Sequence, residues 1–465
     1  MKIRPFALAL LIGGLAAGAR TEARGEDPPS FPARASDDGR SLLDQHGKPF
    51  FWLGDTAWEL FHRLALDEAD RYLRARARQQ FTVVQAVVLA EFGGLTEPTP
   101  GGETPLEAND PARPREAYFR HVDAVVGRAN ALGLVVGMLP TWGDKWNRKW
   151  GQGPEIFTPE NARVYGAFLG RRYRDRAVVW ILGGDRPVET DRHREVLRAM
   201  AAGLAEGDGG RHLRAFHPSG GRTSAEPFGD DAWLAFNMIQ SGHNYNNPNY
   251  KAIAADYART PPKPCLDGEP NYEDHPAAFK AENGYMAALD ARKAAYWALF
   301  AGACGHTYGC HDVWQFLDPA RRPPVTAART PWPEALDLPG AGQMRHLRRL
   351  IESRPILARV PDQALLATGP GEGGDHLQAA RDRDGSYALI YAPSGRPFGV
   401  DLTRLSGTTL RAAWFDPATG RAEAFATFPR ADTPRRDFAP PRPEPGANLD
   451  RVLILDDAAR DYPLP

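Results

Sequence analysis

Cysteine is nearly missing from this chain: 465 residues carry three, and none precedes Cys265. So few exclude a disulfide-stapled scaffold, and an odd number leaves at least one thiol free or paired between chains. Cys304 and Cys310 are spaced to close a small loop, whereas Cys265 sits in an apolar run and reads as a buried thiol. A charge excess is missing too. Lys and Arg number 57 against 58 Asp and Glu, a formal charge of -1, which argues against capture of nucleic acid by a broad cationic face. Lysine is scarce, 8 residues against 49 arginines, a bias of coding composition. The leading apolar run, residues 6–19, is about 14 residues long, short of the roughly 20 that cross a bilayer as a helix, so no membrane anchor is expected. No Walker loop, dinucleotide fingerprint or GxSxG elbow occurs, and Ser219 in His217-Pro218-Ser219-Gly220-Gly221 lacks the elbow's context. Phosphoryl and acyl transfer therefore drop away. The Cys304, His306, Cys310, His311, Asp312 cluster has neither CxxC nor HExxH spacing, so no metal and no cofactor is expected.

What is present is a foldable and aromatic chain. At 42% hydrophobic and 10% aromatic residues, most of it can bury a core, which excludes disorder. Eleven Trp and 14 Tyr exceed core needs, and such rings line sites for flat, weakly charged ligands such as sugars. Lys2 and Arg4, the apolar run and small residues up to Ala17-Gly18-Ala19 have the order of a secretory signal. Residues 1–22 are expected to be removed, leaving a periplasmic or secreted protein; with no early cysteine there is no site for a lipid. Losing Lys2 and Arg4 would move the formal charge from -1 to -3.

From about residue 49 to 350, β-like runs at 50–53, 82–89, 134–139, 177–182, 212–216, 234–239, 264–266 and 305–308 alternate with helix-like stretches at 66–80, 115–132, 159–173, 190–206 and 282–302. Eight such units over about 300 residues predict an α/β fold, a (β/α)8 TIM barrel, over 36–355. After it, runs at 386–392, 411–415, 422–428 and 451–455, separated by Asp384-Gly385, Ser394-Gly395 and Thr419-Gly420, predict a small antiparallel β-sandwich over 357–465. The Pro/Arg-rich stretch 429–445 reads as a solvated loop.

In such a barrel, working residues gather at the C-terminal ends of the strands. Two carboxylates stand out there. Asp185 follows Val178-Val179-Trp180-Ile181-Leu182 and two glycines at the fourth strand; Glu269 follows Cys265-Leu266-Asp267-Gly268 at the seventh. Those strands face each other across the mouth, and glycoside hydrolysis needs two carboxyls, one to protonate the leaving oxygen and one to attack or to activate water. The bland alternative pairs Asp185 with Arg186 and Glu269 with some other arginine. Asp55, Trp58, Glu59, Glu91, Trp142, Asp144, Trp146, His217, Gln240, His243 and His311 form the expected surrounding shell. Trp142, Trp146 and Trp150 lie within nine residues, where rings could stack on sugar faces.

The stretches Phe50-Phe51-Trp52-Leu53-Gly54-Asp55-Thr56-Ala57-Trp58-Glu59, Thr141-Trp142-Gly143-Asp144-Lys145-Trp146, Trp180-Ile181-Leu182-Gly183-Gly184-Asp185-Arg186-Pro187, Gln240-Ser241-Gly242-His243 and Asp267-Gly268-Glu269-Pro270 resemble glycoside hydrolase family 140, the apiosidase-type enzymes, from about residue 40 to 355. The resemblance implies a barrel that acts on plant pectin and removes apiose-containing side-chain material from rhamnogalacturonan II. By motif match it makes Asp185 the acid/base and Glu269 the nucleophile of a retaining mechanism, with an oligo- or polysaccharide as the partner. The segment after about residue 357 resembles a module labelled collagen-binding; beside a glycosidase barrel, such a sandwich is expected to brace the barrel or close one side of the cleft. Two alternatives remain: a glycosidase of the same fold acting on another glycan, and a non-catalytic carbohydrate- or matrix-binding protein. Oligomeric state is not legible in the sequence.

Overall fold

The computed structural model describes Met1 and residues 29–430, 434–441 and 448–465. Apart from Met1, the expected signal segment lies outside the described residues, as does part of the stretch 429–445; that stretch is not wholly a solvated loop, because Arg435–Phe438 pairs as a strand with Phe398–Asp401 and buries Phe438.

Eight parallel strands, β1 (Trp52–Thr56), β2 (Val83–Leu89), β3 (Val135–Thr141), β4 (Val178–Gly183), β5 (Arg214–His217), β6 (Asn237–Gln240), β7 (Cys265–Asp267) and β8 (Gly305–Tyr308), form a nearly closed barrel. Each is followed by a helix: α1 (Leu66–Arg78), α2 (Glu116–Ala131), α3 (Pro159–Tyr173), α4 (Asp191–Asp208), the single turn α5 (Ala225–Phe228), α6 (Asn249–Tyr257), α7 (Ala288–Phe300) and α8 (Pro339–Glu352). Ladders join the strands in the order β5-β4-β3-β2-β1-β8-β7-β6, and a ninth strand, Arg222–Thr223, pairs antiparallel with β6. Between β5 and β6 the ring is closed by the Ala235 amide, which donates to the Arg214 carbonyl at 2.8 Å.

The apolar runs are continuous because both faces of a parallel strand are buried. Alternation then sorts them: Val179 and Ile181 fill the barrel with Trp52, Val83 and Leu266, while Val178, Trp180 and Leu182 face the helices. Helix starts follow local chemistry. Thr158 and Thr190 accept hydrogen bonds from the amides of Asn161 and His193 and so cap α3 and α4. The barrel floor is sealed by a three-stranded antiparallel sheet (Pro32–Ala35, Leu42–Asp44, Pro49–Phe50), whose Phe31, Leu42 and Phe50 join the inner cluster.

The cysteine loop does not form. All three thiols are free and buried, because Cys304 and Cys310 flank β8; a strand rising about 3.3 Å per residue keeps them far beyond disulfide reach.

The C-terminal part is an antiparallel domain. Its strands are β9 (Arg359–Pro361), β10 (Gln378–Asp382), β11 (Tyr387–Ala392), β12 (Phe398–Asp401), β13 (Thr409–Phe415), β14 (Ala422–Pro429), β15 (Arg435–Phe438) and β16 (Arg451–Asp457). Six make one sheet, ordered β9-β10-β11-β16-β13-β14, and β12 pairs with β15. One face encloses a separate core that includes Ile390, Phe398, Leu410 and Leu455. The other lies on the barrel: Tyr391 stacks on Tyr296 of α7 at 4.9 Å, His376 stacks on Tyr250 of α6 at 3.7 Å, and the Trp297 indole donates to the His376 carbonyl at 2.9 Å. Apolar residues of both parts form one continuous cluster. At its heart Arg292 of α7 makes a bidentate pair with Asp450, at 3.0 and 2.8 Å, both fully buried.

Candidate active site

The end of β4 is bent by three successive residues with positive φ: Gly183 at 99°, Gly184 at 105° and Asp185 at 52°. A Cβ on Gly183 would stand 2.4 Å from the His217 carbonyl oxygen and 2.6 Å from the Phe216 ring; one on Gly184 would stand 2.9 Å from the Gly143 nitrogen. Only glycine fits both the angle and the space, and the bend delivers Asp185 into the barrel mouth. Gly183→Ala is expected to lower stability by about 2–5 kcal/mol, read as a reduced Tm, and to impair activity in whatever fraction folds; unchanged stability would contradict this account of the bend.

Glu269 follows β7 and is held by two imidazoles. His217 Nε2 lies 3.1 Å from Oε2, and His243 Nε2 lies 3.2 Å from Oε1. The rings are themselves fixed. His217 Nδ1 donates to the Pro218 carbonyl at 3.0 Å, and His243 packs on Tyr272 and His275 with centroids 4.4 and 4.3 Å away. Burial alone would raise the Glu269 pKa, but His217 and His243 overcome it and hold the carboxyl well below the usual range. Asp185 goes the other way: burial raises it, the Glu269 charge adds, and Arg186, His217 and Gln240 oppose. Two carboxyls in one cavity are thus pushed apart, one toward the acid form and one toward the anion.

They share a cavity of about 390 Å³, within the range of small-molecule sites. Trp58 and Trp142 pack together in its wall at 5.1 Å. Trp150 and Phe279, 57% and 61% exposed, stand at its rim. His275 and His311 also line it. Burial takes His275 down to about 2, with His243 and His311 adding, and takes His311 down to about 4. Both are therefore neutral rings near pH 7, able to hydrogen-bond hydroxyls. Neutral imidazoles, aromatic faces and two carboxyls suit a sugar.

Of the residues expected in the shell, Trp58, Glu91, Trp142, His243 and His311 line the cavity with Asp185 and Glu269; His217 contacts Glu269 and Gln240 faces Asp185. Four others are turned away. Alternation along β1 sends Trp52 inward and Leu53 outward, so Asp55 also points outward, where it accepts from the Tyr72 hydroxyl and Arg76 Nε, both at 2.6 Å. Glu59 is buried against His62 at 2.9 Å and Arg63 at 3.4 Å. Asp144 pairs with Lys145 at 2.8 Å and accepts from the Gly153 amide at 2.7 Å, fixing the β3 loop. Trp146 packs into the outer core and against His193. Conversely, Arg186, Tyr272, His275, Phe279 and Trp314 line the cavity without having been singled out as site residues. Tyr272 and His275 follow Glu269 by three and six residues, and Trp314 follows His311 by three; proximity to a strand end was their only signal. Among the described residues, no group of three or more His, Cys, Asp or Glu is arranged to hold a metal, and no helix is long and apolar enough to cross a membrane.

Comparison with known proteins agrees with this geometry. Residues 36–358 match the family model described as "Apiosidase-like, catalytic domain", and residues 360–456 match a family model described as a collagen-binding domain of a collagenase. No curated protein sequence matches the chain. Among solved structures, one named as a glycoside hydrolase shares 31% identity, with 93% of this chain and 98% of that one covered and a TM-score of 0.84. A glycoside hydrolase family 5 structure from Bacteroides vulgatus ATCC 8482 shares 34% identity, with 93% and 95% covered and a TM-score of 0.84. The chain is a glycoside hydrolase and belongs to the apiosidase-like catalytic domain family.

Proposed function

We propose that the protein is an exported retaining glycosidase that cleaves a glycosidic bond in plant pectin, of the kind borne by the side chains of rhamnogalacturonan II. The observation that carries this reading is the opposed pair, Asp185 raised and Glu269 depressed, in one aromatic-walled cavity. Protonated Asp185 donates to the departing oxygen while the Glu269 carboxylate attacks the anomeric carbon and the old glycosidic bond breaks. The glycosyl-enzyme is then opened by water, whose proton goes to Asp185. His217 and His243 keep Glu269 ionised and aimed.

A second cavity of about 490 Å³ adjoins the first on the Asp185 side, sharing Trp150 and Arg186 with it and lined further by Lys149, Arg194 and Arg222. Its position suits the leaving-group side of the bond, and its lining is of mixed charge, with Lys149, Arg194 and Arg222 paired to Glu189, Asp191 and Glu226. The description of the matched family supports apiose as the sugar released.

A digest of fractionated pectin, with released monosaccharides identified and the first-formed anomer followed by NMR, tests the proposal. Apiose released with retained configuration is expected. Another sugar from another glycan would leave the chemistry and overturn the substrate; inversion would overturn the mechanism. Because Glu269 must be ionised and Asp185 protonated, kcat/KM should describe a bell. Its acid limb is displaced below the usual carboxylate range by the histidines, and its alkaline limb above that range by the burial of Asp185 and the Glu269 charge. Export is tested by N-terminal sequencing of the native protein; a cytoplasmic protein that keeps Met1 would refute it.

A further inference from the structure

Arg186 lies between two carboxyl groups and is locked there. Only 1% of its side chain is exposed. Its NH2 group is ion-paired with Glu91 from the end of β2, and its NH1 group donates to Asp185, to the backbone carbonyl at 2.8 Å and to Oδ2 at 3.1 Å. The Trp150 ring covers the guanidinium, with its centroid 5.1 Å from Cζ. Two glycines make room: a Cβ on Gly143 would stand 2.6 Å from Arg186 Cγ, and one on Gly151 2.5 Å from NH2. The arginine cannot swing away, so its charge is divided between Glu91 and Asp185.

That division matters because a guanidinium that served Asp185 alone would fix it as a carboxylate, and a carboxylate cannot protonate a leaving oxygen. We infer that Glu91 is a positioning residue for the acid/base: by holding Arg186 it withdraws the guanidinium from Asp185, so that Asp185 carries a proton when substrate binds. This rests on the reading of Asp185 as the acid/base. The charges around the pair agree with it. Glu91 is faced by Arg186, Asp144 and Asp185, and the Asp144 charge is met by Lys145 at 2.8 Å. Asp185 is faced by Glu269 from β7, Arg186, His217 from β5 and Gln240 from β6. Burial pushes the Glu91 carboxyl up to about 7 against the pull of Arg186. Its hold on the arginine is thus fullest on the alkaline side, where Asp185 most needs its proton.

Glu91→Gln keeps the shape and removes the charge, and both the lost anion and the freed guanidinium act to lower the Asp185 pKa. The alkaline limb of kcat/KM is expected to move down by about one pH unit. Acid catalysis should suffer selectively: an unactivated alkyl glycoside of the released sugar loses roughly ten-fold or more at neutral pH, whereas the 2,4-dinitrophenyl glycoside, whose leaving group needs no proton, loses much less. Glu91→Asp, which keeps the charge, should restore most of the limb, and Arg186→Gln added to Glu91→Gln should return it to or above the wild-type position. An unmoved limb, or equal losses on the two glycosides, would overturn the inference. A wild-type enzyme that hydrolyses neither would instead overturn the glycosidase reading of Asp185 on which it rests.

Discussion

Glu269→Ala is expected to lower turnover by roughly 10⁴-fold or more while the barrel stays folded. The side chain ends in the cavity, not in the core, so its removal takes away the proposed nucleophile and leaves little else unsupported. The two histidines would face a space of carboxylate size and polarity. A small anion such as azide should enter it and rescue turnover, giving a glycosyl azide of inverted configuration. Loss of Glu269 also removes a charge that raises Asp185, so the alkaline limb of the rescued reaction should lie at lower pH than in the parent enzyme. Circular dichroism and Tm check the fold, and product analysis checks the rescue. Near-parental hydrolysis by a folded variant would remove Glu269 from the mechanism.

The second large effect is expected far from the chemistry. Asp450→Ala leaves the Arg292 guanidinium buried with only Asn448, at 3.0 Å, and Gln343 to meet it, and breaking a buried pair from one side costs about 3–5 kcal/mol. Denaturant unfolding should show that loss as one cooperative transition for barrel and C-terminal domain together, since the apolar cluster runs through both. The double variant Arg292→Met with Asp450→Leu should recover much of it, because the pair's worth lies in not being broken. Two separate transitions in the parent protein would disprove the shared core. The interface also reaches the loop that carries His243: Asn246 there lies against Gly374 of the C-terminal domain, where a Cβ would stand 3.0 Å from Asn246 Oδ1, and accepts from Lys293 at 2.7 Å.

The barrel was legible because burial on both strand faces leaves uninterrupted apolar runs, and the helices between them carry caps and charge. The same property hid the orientation of individual residues. With both faces apolar, nothing in Phe51-Trp52-Leu53 tells which side is inside, and so Asp55 read as a site residue although it faces α1. The first strand lies two residues later than the 50–53 run, since Asp55 and Thr56 continue the ladder with β2 despite their polarity. Asp185 and Glu269 were readable because glycine beside a strand-end carboxylate is a local signal. Arg186 was visible only as a possible partner of Asp185, and it is that partner while holding Glu91 as well. His275 had only its closeness to the end of β7 as a signal and Phe279 had none, since both lie in an irregular stretch with neither helical nor strand period.

The small sheet under the barrel restricts how the N-terminus can be matured. Phe31 is almost fully buried in the inner cluster, its amide donates to Gln45 at 2.9 Å, and the Ser30 hydroxyl donates to Asp44 at 2.8 Å. A protease that trims the chain beyond residue 30 would unplug the barrel floor and let water reach Trp52 and Leu266 from below. Any processing compatible with an active enzyme must therefore cut upstream of Ser30.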